Sequence, residues 1–301
     1  MTRNSCNMTQ PLVYIVVLNY GNAPDTIACC ESLKQLVYDN FKVVVIDNCS
    51  ADDSMAVLKQ WLTSQDPQRF QLIQTRWNLG FAGGNNEGIR IALKDKACQY
   101  VWLLNNDTVV TPSALTGLVE PFQKDSRVGI SGSLVYYFYE RDTIQGLCGV
   151  YNPILSTSKY SATVSHSLFH KSYPMGASMM ISRDFFETIG LLSEDYFLYY
   201  EELDLVCRSS GKYKVAYAPQ SIIYHKEGAT IGGKAKGAVK SKLADYYAMR
   251  NRIIFTRKFY KRYLPTVYAG LLLSMLIRLK RRQFDRVWMI AKLLVNPDKF
   301  M

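Results

Sequence analysis

The chain of 301 residues is 48% hydrophobic and 20% charged, which excludes wholesale disorder and leaves room for a full hydrophobic core. Its seven cysteines include no CxxC pair, so the sequence argues against a disulfide framework and a structural zinc site, and fits a reducing compartment. The net charge of +11 is uneven, because residues 234–301 hold 17 Lys+Arg and 3 Asp+Glu, whereas residues 1–233 hold 19 and 22. A basic C-terminal region favours an anionic partner surface, either lipid head groups or nucleic acid.

Apolar segments alternate with helical patterns in the first third of the chain. The predicted strands are residues 12–18, 42–46, 70–75 and 100–104. The first two predicted helices run from about residue 24 to 36 and from about 54 to 62, and a third follows the segment 76–86 and continues to about residue 94. This alternation predicts an α/β fold with a mostly parallel sheet and helices on both faces. Residues 1–11 precede the first strand and are predicted to be disordered.

The fourth predicted strand, residues 100–104, ends abruptly at two asparagines and Asp107. We expect the chain to turn there and start a helix, with Thr111 as N-cap and Pro112 at the first helical position. Ligands of open α/β sheets bind beyond the carboxyl ends of strands, and a carboxylate there can hold a divalent cation, which in turn holds a diphosphate. The alternative is that Asp107 only caps the turn.

Two other strand ends carry chemistry suited to a nucleotide. Asp47 follows the second strand, where its carboxylate can accept hydrogen bonds from a base imide or a ribose hydroxyl. Gly80, Gly83 and Gly84 follow the third strand and expose backbone at a helix N-terminus, which attracts phosphate. Their spacing and position differ from the G-x-G-x-x-G of a Rossmann dinucleotide site. The alternative is a tight turn with close helix packing.

The middle of the chain is less regular. Residues 128–134 are predicted to form a strand, and residues 135–172 a loop, with short strands as the alternative. Residues 173–182 have the pattern of a turn that enters a strand, and residues 183–189 that of a short helix ended by Gly190.

A cluster of acids follows five mainly aromatic positions, residues 196–200. On a helix, Glu201 and Asp204 share a face, and Glu202 points about 100° away. The alternative explanation is that acids are enriched at helix N-termini because the macrodipole favours them. That explanation does not account for the aromatic residues that lead into the acids.

A histidine follows the last apolar segments of the body. Residues 214–218 form a predicted strand, and a second apolar segment, residues 222–224, is followed directly by His225. The Gly- and Lys-rich residues 226–237 are predicted to be mobile until an anion orders them. A lone histidine is more often structural than a ligand, but His225 stands at a segment end, as Asp107 does.

The C-terminal region, from about residue 239, is predicted to be helical. Basic runs at residues 257–262 and 278–282 flank the apolar residues 264–277, and residues 287–295 are apolar again. The apolar stretches are too short for a spanning helix, and basic flanks on both sides contradict one. We predict helices in the membrane interface, with a helical pair packed on the main domain as the alternative. The predicted domains are 1–11, 12–237 and 238–301.

In this order, the motifs resemble those of family 2 glycosyltransferases with the GT-A fold, and most of all the bacterial rhamnosyltransferase-type members that build surface polysaccharides. The matching segments are residues 17–20 (VLNY), 45–52 (VIDNCSAD), 78–86 (NLGFAGGNN), 103–107 (LLNND), 176–177 (GA) and 199–204 (YYEELD). The resemblance spans about residues 12–232, and the basic C-terminal region lies outside it.

The resemblance implies roles for individual residues. Those that would line the nucleotide-sugar pocket are Asn19, Tyr20, Asp47, Asn78, Gly80, Gly83, Gly84, Asn85 and Asn106. The family's D-x-D motif here ends in Asp107 and has an amide at its first position, which leaves Asp107 and His225 as the ligands of Mn²⁺ or Mg²⁺. Glu202 occupies the place of the catalytic base, with Asp204 as the alternative.

The resemblance also implies an inverting reaction. Glu202 would take the proton of an acceptor hydroxyl while that hydroxyl attacks the anomeric carbon of a dTDP- or UDP-sugar. Among Tyr196, Phe197, Tyr199 and Tyr200, some would form an acceptor platform and the others would belong to the core. We expect a glycan or lipid-linked acceptor, an anionic membrane surface as partner, and a cytoplasmic, peripheral location. One competing function is that of a nucleotidyltransferase, which also binds a nucleotide and Mg²⁺ at a sheet edge. The other is that of a nucleic-acid-binding protein, and only the basic C-terminal region supports it.

Overall fold

In a computed structural model, the described residues are 10–165, 167, 170–226 and 241–298. Their elements are β1 (Leu12–Asn19), α1 (Ala23–Leu33), β2 (Phe41–Asp47), α2 (Ser54–Leu62), β3 (Phe70–Gln74), α3 (Gly80–Lys94), β4 (Cys98–Asn105), β5 (Thr108–Val110), α4 (Ala114–Lys124), β6 (Val128–Tyr137), β7 (Ile144–Gly146), β8 (Cys148–Asn152), β9 (Thr157–Ser161), β10 (Lys171–Tyr173), β11 (Ser178–Ser182), α5 (Arg183–Ile189), α6 (Glu201–Arg208), β12 (Lys214–His225), α7 (Lys242–Phe259), α8 (Leu264–Lys280) and α9 (Phe284–Val295). Residues 1–9 of the predicted disordered segment and residues 227–237 of the predicted mobile loop lie outside the described residues.

The first four long strands pair in parallel, in the order β3-β2-β1-β4. The side chains from Val13 to Val17 in β1 are all buried, because helices cover both faces of the sheet and leave no solvent-facing side. In the register of these strands, Asn19 lies opposite Asp47, and Leu18 lies opposite Asn105. The carboxyl ends of β1, β2 and β4 therefore meet at one edge of the sheet.

The other half of the sheet contains antiparallel strands. β11 lies antiparallel between β4 and β6, β12 runs parallel to β6, and β5 closes the order antiparallel to β12. Separate hydrophobic clusters fill the two faces of this sheet. The predicted α/β fold, with a mostly parallel sheet and helices on both faces, is confirmed.

The predicted start of the helix after Asp107 is wrong. Residues 108–110 form β5 instead, and α4 begins at Ala114 with Ser113 as its N-cap. The cause is a tertiary contact, because both the backbone N–H and the side-chain hydroxyl of Thr111 donate to the carbonyl of Ile222 in β12, at 3.2 and 3.0 Å. The same pairing places His225 opposite Thr108, next to Asp107.

Residues 135–172 contain the short strands that the sequence left as an alternative to a loop. β8 pairs antiparallel with β9 and β10 in a small separate sheet, and β7 pairs with β6. The two apolar segments at 214–218 and 222–225 belong to a single strand, β12, with an irregularity between Ala218 and Ile222.

The helices α7, α8 and α9 pack on one another around a cluster that includes Ile253, Leu271 and Ile290. α7 also packs on the body, because its Phe255 lies fully buried in one of the two sheet cores. Among the described residues, no helix has the length and apolar content needed to cross a bilayer.

Candidate active site

At the edge where β1, β2 and β4 end, buried polar side chains form a chain of hydrogen bonds, the strand-end network. Asn106 Nδ2 donates to Thr26 Oγ1 at 3.0 Å, and Thr26 Oγ1 donates to Asn19 Oδ1 at 2.7 Å. Asn19 Nδ2 then donates to Asp47 Oδ1 at 2.8 Å. All four residues are buried, so each bond lies in a low-dielectric surrounding that strengthens it and makes it costly to break.

The carboxylate of Asp47 is fully buried and already satisfied. Besides Asn19, it accepts hydrogen bonds from the hydroxyl and backbone N–H of Ser50, at 2.5 and 3.2 Å, and from Gln74 Nε2 at 3.3 Å. In this arrangement Asp47 orients its neighbours and does not face solvent. Among the residues predicted to frame a nucleoside, Tyr20 is the exposed one, at 41%.

The segment before α3 is fixed by Asn48, which the sequence analysis did not single out. Its Oδ1 accepts from Leu79 N at 3.0 Å, and its Nδ2 donates to Asn78 Oδ1 at 2.9 Å. Asn78 Oδ1 also accepts from Gly80 N at 2.8 Å. Gly80 has φ +71°, and a Cβ there would lie 2.3 Å from the carbonyl oxygen of Phe197. The sequence signal for Asn48 was its position directly after Asp47.

The other predicted pocket residues of α3 face inward. A Cβ on Gly83 would lie 2.7 Å from the Cβ of Leu79, and one on Gly84 would lie 2.5 Å from Leu18. Asn85 is buried and donates to the carbonyl of Phe81 at 2.9 Å. These contacts fit the alternative of close helix packing, and contact of the three residues with a nucleotide stays a prediction.

The structure brings Asp107 and His225 together although more than 100 residues separate them in the sequence. Asp107 Oδ1 lies 3.1 Å from His225 Nε2, and His225 Nδ1 lies 3.0 Å from Gln145 Oε1. Burial by itself would raise the pKa of Asp107, but the hydrogen bond and charge of His225, with a contribution from Lys226, hold that pKa below its ordinary value. Asp107 is therefore an ionised, buried carboxylate.

This pair fits a divalent cation. A cation would take the place of the Nε2 proton that donates to Asp107, while Nδ1–H can donate to the Gln145 side-chain carbonyl and orient the ring. Asn105 Nδ2 lies 3.5 Å from His225 Nε2. The described residues contain no group of three or more His, Cys, Asp and Glu side chains placed so that they could hold a metal ion. A cation here would thus take its remaining ligands from a diphosphate and water, as Mg²⁺ does in phosphate sites.

Glu202 lies in the first turn of α6 and reaches toward β11. The backbone N–H of Gly176 donates toward its carboxylate, and a Cβ on Gly176 would lie 2.7 Å from Glu202 Oε1. The next residue, Ala177, accepts a hydrogen bond from Asn105 N at 3.0 Å, so this contact adjoins the end of β4. Burial raises the pKa of Glu202 to about 7. A carboxylate tuned to neutral pH is suited to general-base work.

Asp204, the alternative base, lies in a different environment. Its fully buried carboxylate binds Arg208 Nε at 2.6 Å, Lys258 Nζ at 2.7 Å and the hydroxyl of Tyr196 at 3.2 Å. These partners occupy both oxygens and leave no room for an acceptor hydroxyl. Glu202 therefore stays the predicted base, and these contacts count against the alternative, Asp204.

The predicted aromatic platform is largely part of the core. Tyr196 is fully buried, Phe197 stacks on Tyr247 with ring centroids 4.8 Å apart, and Tyr200 packs on Phe255 at 5.3 Å. These contacts join the segment before α6 to α7. An acceptor platform made of all four predicted aromatics does not fit this packing.

Two solved structures share the architecture. A mannosyltransferase from Pyrobaculum calidifontis in complex with GDP-Man and Mn²⁺ has a TM-score of 0.60 at 15% identity, with 95% of this chain and 86% of that chain covered. GalNAc-T7 with UDP, GalNAc and Mn²⁺ has a TM-score of 0.63 at 15% identity, with 81% and 48% covered. The fold is GT-A-like.

Residues 13–190 match the family described as glycosyl transferase family 2. The chain belongs to that family. It is 28% identical over 213 residues to the low-salt glycan biosynthesis hexosyltransferase Agl10 of Haloferax volcanii, with 68% of this chain and 65% of that protein covered. It is 25% identical over 260 residues to the dTDP-rhamnosyl transferase RfbF of Shigella flexneri, with 82% and 80% covered. The alignments thus span about two thirds and four fifths of these relatives.

Proposed function

We propose that the protein transfers a sugar from a nucleotide-diphospho-sugar to a hydroxyl of a glycan acceptor, with inversion at the anomeric carbon. The observation that supports this most is the pairing of two sites at one sheet edge. Asp107 and His225 offer a cation site for a diphosphate, and Glu202, with its pKa raised to about 7, adjoins the same strand end through Gly176. Family membership supplies the reaction class.

Asp107 and His225 are the groups that would hold Mn²⁺ or Mg²⁺. When bound, such an ion neutralises the charge that develops on the departing nucleoside diphosphate. The strand-end network holds the backbone at the ends of β1, β2 and β4 rigid, so the donor meets a preorganised surface. Both structural neighbours are complexes that contain Mn²⁺, which agrees with this assignment.

Glu202 would act as the general base. Its deprotonated carboxylate, oriented by Gly176 N–H, accepts the proton of the acceptor hydroxyl as that oxygen bonds to the anomeric carbon and the bond to the diphosphate breaks. A single displacement from the face opposite the leaving group inverts the configuration. General-base assistance of this kind contributes about 10²–10⁴ in rate.

We propose a dTDP- or UDP-linked sugar, rhamnose or a similar hexose, as the donor, supported by the likeness to the Shigella rhamnosyl transferase. A nucleotidyltransferase on the same edge would release pyrophosphate, whereas a glycosyltransferase releases a nucleoside diphosphate. Product analysis by ion-exchange chromatography separates the two functions, and release of pyrophosphate would refute the proposal.

The acceptor is proposed to be lipid-linked, because α8 and α9 offer a surface suited to a membrane. Leu273, Leu276 and Trp288 are 58%, 59% and 64% exposed, so these helices present apolar side chains to solvent. The C-terminal end of α8 is followed by Arg281 and Arg282, which are both exposed. Apolar side chains between basic ones fit the interface of an anionic bilayer, with the enzyme at the cytoplasmic face.

Co-sedimentation with vesicles of phosphatidylglycerol or phosphatidylcholine tests the membrane proposal. We expect binding to the anionic vesicles that weakens with salt and is lost in the Leu273→Glu/Leu276→Glu variant. Val37→Glu, which changes a 64% exposed residue elsewhere on the molecule, is the matched control. Equal binding of both variants, or binding to RNA in place of vesicles, would refute it.

The donor and metal are tested together by thermal shift with UDP- and dTDP-sugars, each with and without Mn²⁺. A ligand that binds only the native state raises its melting temperature. We expect a metal-dependent rise with one donor. A rise that is independent of metal and unchanged in Asp107→Asn would refute the cation site.

A further inference from the structure

The segment that leads into the acid helix, residues 195–200, is called the acid loop. It ends in two successive left-handed residues, since Tyr199 has φ +71° and Tyr200 has φ +78°. Aromatic side chains rarely adopt this conformation, so the surroundings must hold it in place. α6 begins at the next residue, Glu201, and the conformation of Tyr199 and Tyr200 therefore sets the direction in which Glu202 projects.

One fully buried side chain of α7 holds this conformation. Asn251 Nδ2 donates to the carbonyl of Leu198 at 2.8 Å and to the carbonyl of Tyr199 at 3.0 Å. Its Oδ1 accepts from Arg250 Nη1 at 3.0 Å, and the same nitrogen of Arg250 donates to the carbonyl of Asp195 at 2.8 Å. Both donors and the acceptor of the Asn251 carboxamide are thus used, and they fix the start and the end of the acid loop.

The acid loop is also attached to the donor side of the site. The carbonyl of Phe197 accepts a hydrogen bond from Phe81 N at 2.7 Å, beside Gly80, whose lack of a Cβ permits that approach. The loop therefore connects the start of α3 with the start of α6. A shift of the loop would move Glu202 relative to the strand ends where the donor is expected.

Further along the same face of α7, Lys258 binds Asp204 Oδ2 at 2.7 Å. Asn251 and Lys258 are seven residues apart, which places them on one side of a helix. One contact precedes Glu202 in the sequence and the other follows it. α7 thus contacts the chain on both sides of Glu202, through Asn251 before it and through Lys258 after it.

We propose that Asn251 is a positioning residue for the reaction, acting through the backbone of Leu198 and Tyr199 to hold Glu202 against Gly176. This inference rests on the proposed role of Glu202. Asn251 touches neither donor nor acceptor. It makes α7, which lies beyond the family match at residues 13–190, a part of the catalytic structure.

The test compares Asn251→Leu, which keeps the approximate size but removes both donors, with Asn251→Ser, which retains one hydroxyl donor. We expect kcat to fall about 100-fold in the leucine variant, since a misplacement near 1 Å has that effect, and less in the serine variant. The KM for the donor stays near that of the wild type. The rising limb of the pH profile moves to lower pH, because a displaced Glu202 is more solvated.

Asp245→Asn is the matched control. Asp245 is a buried polar residue of the same helix, but it binds Arg278 and Arg286 on α8 and α9, at 2.9 and 2.7 Å. With a soluble acceptor, we expect this variant to lose stability while it keeps its kcat and pH profile. A wild-type kcat in Asn251→Leu, or an equal loss of kcat in both variants, would overturn the positioning role.

A double-mutant cycle with Glu202→Gln separates this inference from the proposed function. If Asn251 acts through Glu202, Asn251→Leu reduces the residual activity of Glu202→Gln much less than that of the wild type. Independent effects overturn the inference and leave the function intact, whereas full activity of Glu202→Gln itself overturns the function. If Asn251→Leu fails to fold, Asn251→Ser and Lys258→Met take its place in the cycle, and wild-type kcat and pH profile in both overturn the inference.

Discussion

The strand-end network and the acid helix α6 each contain a carboxylate, Asp47 and Glu202, and the two carboxylates differ in their hydrogen bonds. Asp47 accepts hydrogen bonds from Asn19, Ser50 and Gln74 and is fully buried. Glu202 receives the backbone N–H groups of Gly176 and of its own residue, and burial raises its pKa. The hydrogen bonds of Asp47 hold its neighbours in place, whereas the raised pKa of Glu202 allows it to exchange a proton near neutral pH.

The same contrast recurs within α6 itself. Asp204 is neutralised by Arg208 and Lys258, but Glu201 is buried with its Oε2 lacking a hydrogen-bond partner among the described residues. Burial and the nearby charge of Glu202 raise the pKa of Glu201 well above its ordinary value. Three acids within four residues thus have three different environments, which proximity in sequence does not reveal.

The largest expected effect is that of Glu202→Gln. Loss of the base should reduce kcat by about 10²–10⁴, because the amide cannot accept the acceptor proton. Donor binding, measured as a thermal shift with Mn²⁺, should survive. Activity near the wild-type level would show that the difference between Glu202 and the satisfied carboxylates has no catalytic meaning.

Asp107→Asn should come next. The amide keeps the shape of the carboxylate but lacks its charge, so the affinity for Mn²⁺ in the presence of donor should fall. Loss of an outer-shell partner lowers metal affinity roughly 10–100-fold, and loss of a direct ligand should lower it further. Titration of Mn²⁺ at fixed donor concentration measures the change. His225→Gln should act in the same direction, and an unchanged Mn²⁺ dependence in both would remove the pair from the cation site.

Gly176→Ala adds a methyl group where 2.7 Å separates the Cβ position from Glu202 Oε1. The carboxylate has to move, and kcat should fall by up to about 100-fold with little change in the donor KM. Steady-state kinetics measures both. Gly190→Ala is the control for an unrelated glycine, since its Cβ position meets its nearest atom at 3.9 Å. Gly190 has φ +89°, so the control is strained in its backbone, but the atom near its Cβ position belongs to Arg208 and not to Glu202.

The pH dependence of kcat should rise with pH and level off above about 7, because the base must be deprotonated. The titratable groups that interact with Glu202 are Glu201 of α6, Tyr199 of the acid loop and Tyr173 of β10. In Glu202→Gln the limb near pH 7 should vanish. A limb that persists would assign it to another of these groups.

The free energy of unfolding should fall as the pH rises through the pKa of Glu202. The folded-state pKa of Glu202 is about 7 and its ordinary value is 4.5, so the folded state binds the proton more tightly. Its contribution to stability is present below pH 4.5 and is lost as the pH rises through 7. Glu202→Gln should therefore melt a few degrees higher than the wild type at pH 8, and not at pH 4.5. The opposite order would mean that the carboxylate is stabilised in its charged form.

The smallest effect on kcat is expected from Asp47→Asn. The new N–H groups face the donors of Asn19 and Ser50, so the free energy of unfolding should fall by about 1–3 kcal/mol, as urea denaturation would measure. A large rise in the donor KM without loss of stability would instead assign Asp47 to nucleoside contact and weaken the contrast with Glu202.

The sequence by itself determined the elements whose information is local. Continuous apolar runs fixed β1, β2 and β4, and the order of the motifs led to the family. The position of Asp107 after an apolar strand, and of Glu202 in an acid-rich helix start, was also readable, since each depends on residues within one turn or strand of itself.

Only the tertiary structure decided which of these groups are free to react. The pairing of β5 with β12 brings His225 to Asp107, the ion pair with Lys258 neutralises Asp204, and Asn251 fixes the acid loop. Each of these partners lies some 50 or more residues from the group it controls. Hydrophobic periodicity and turn signals describe neighbours along the chain, and the free energy of a buried carboxylate depends on neighbours in space.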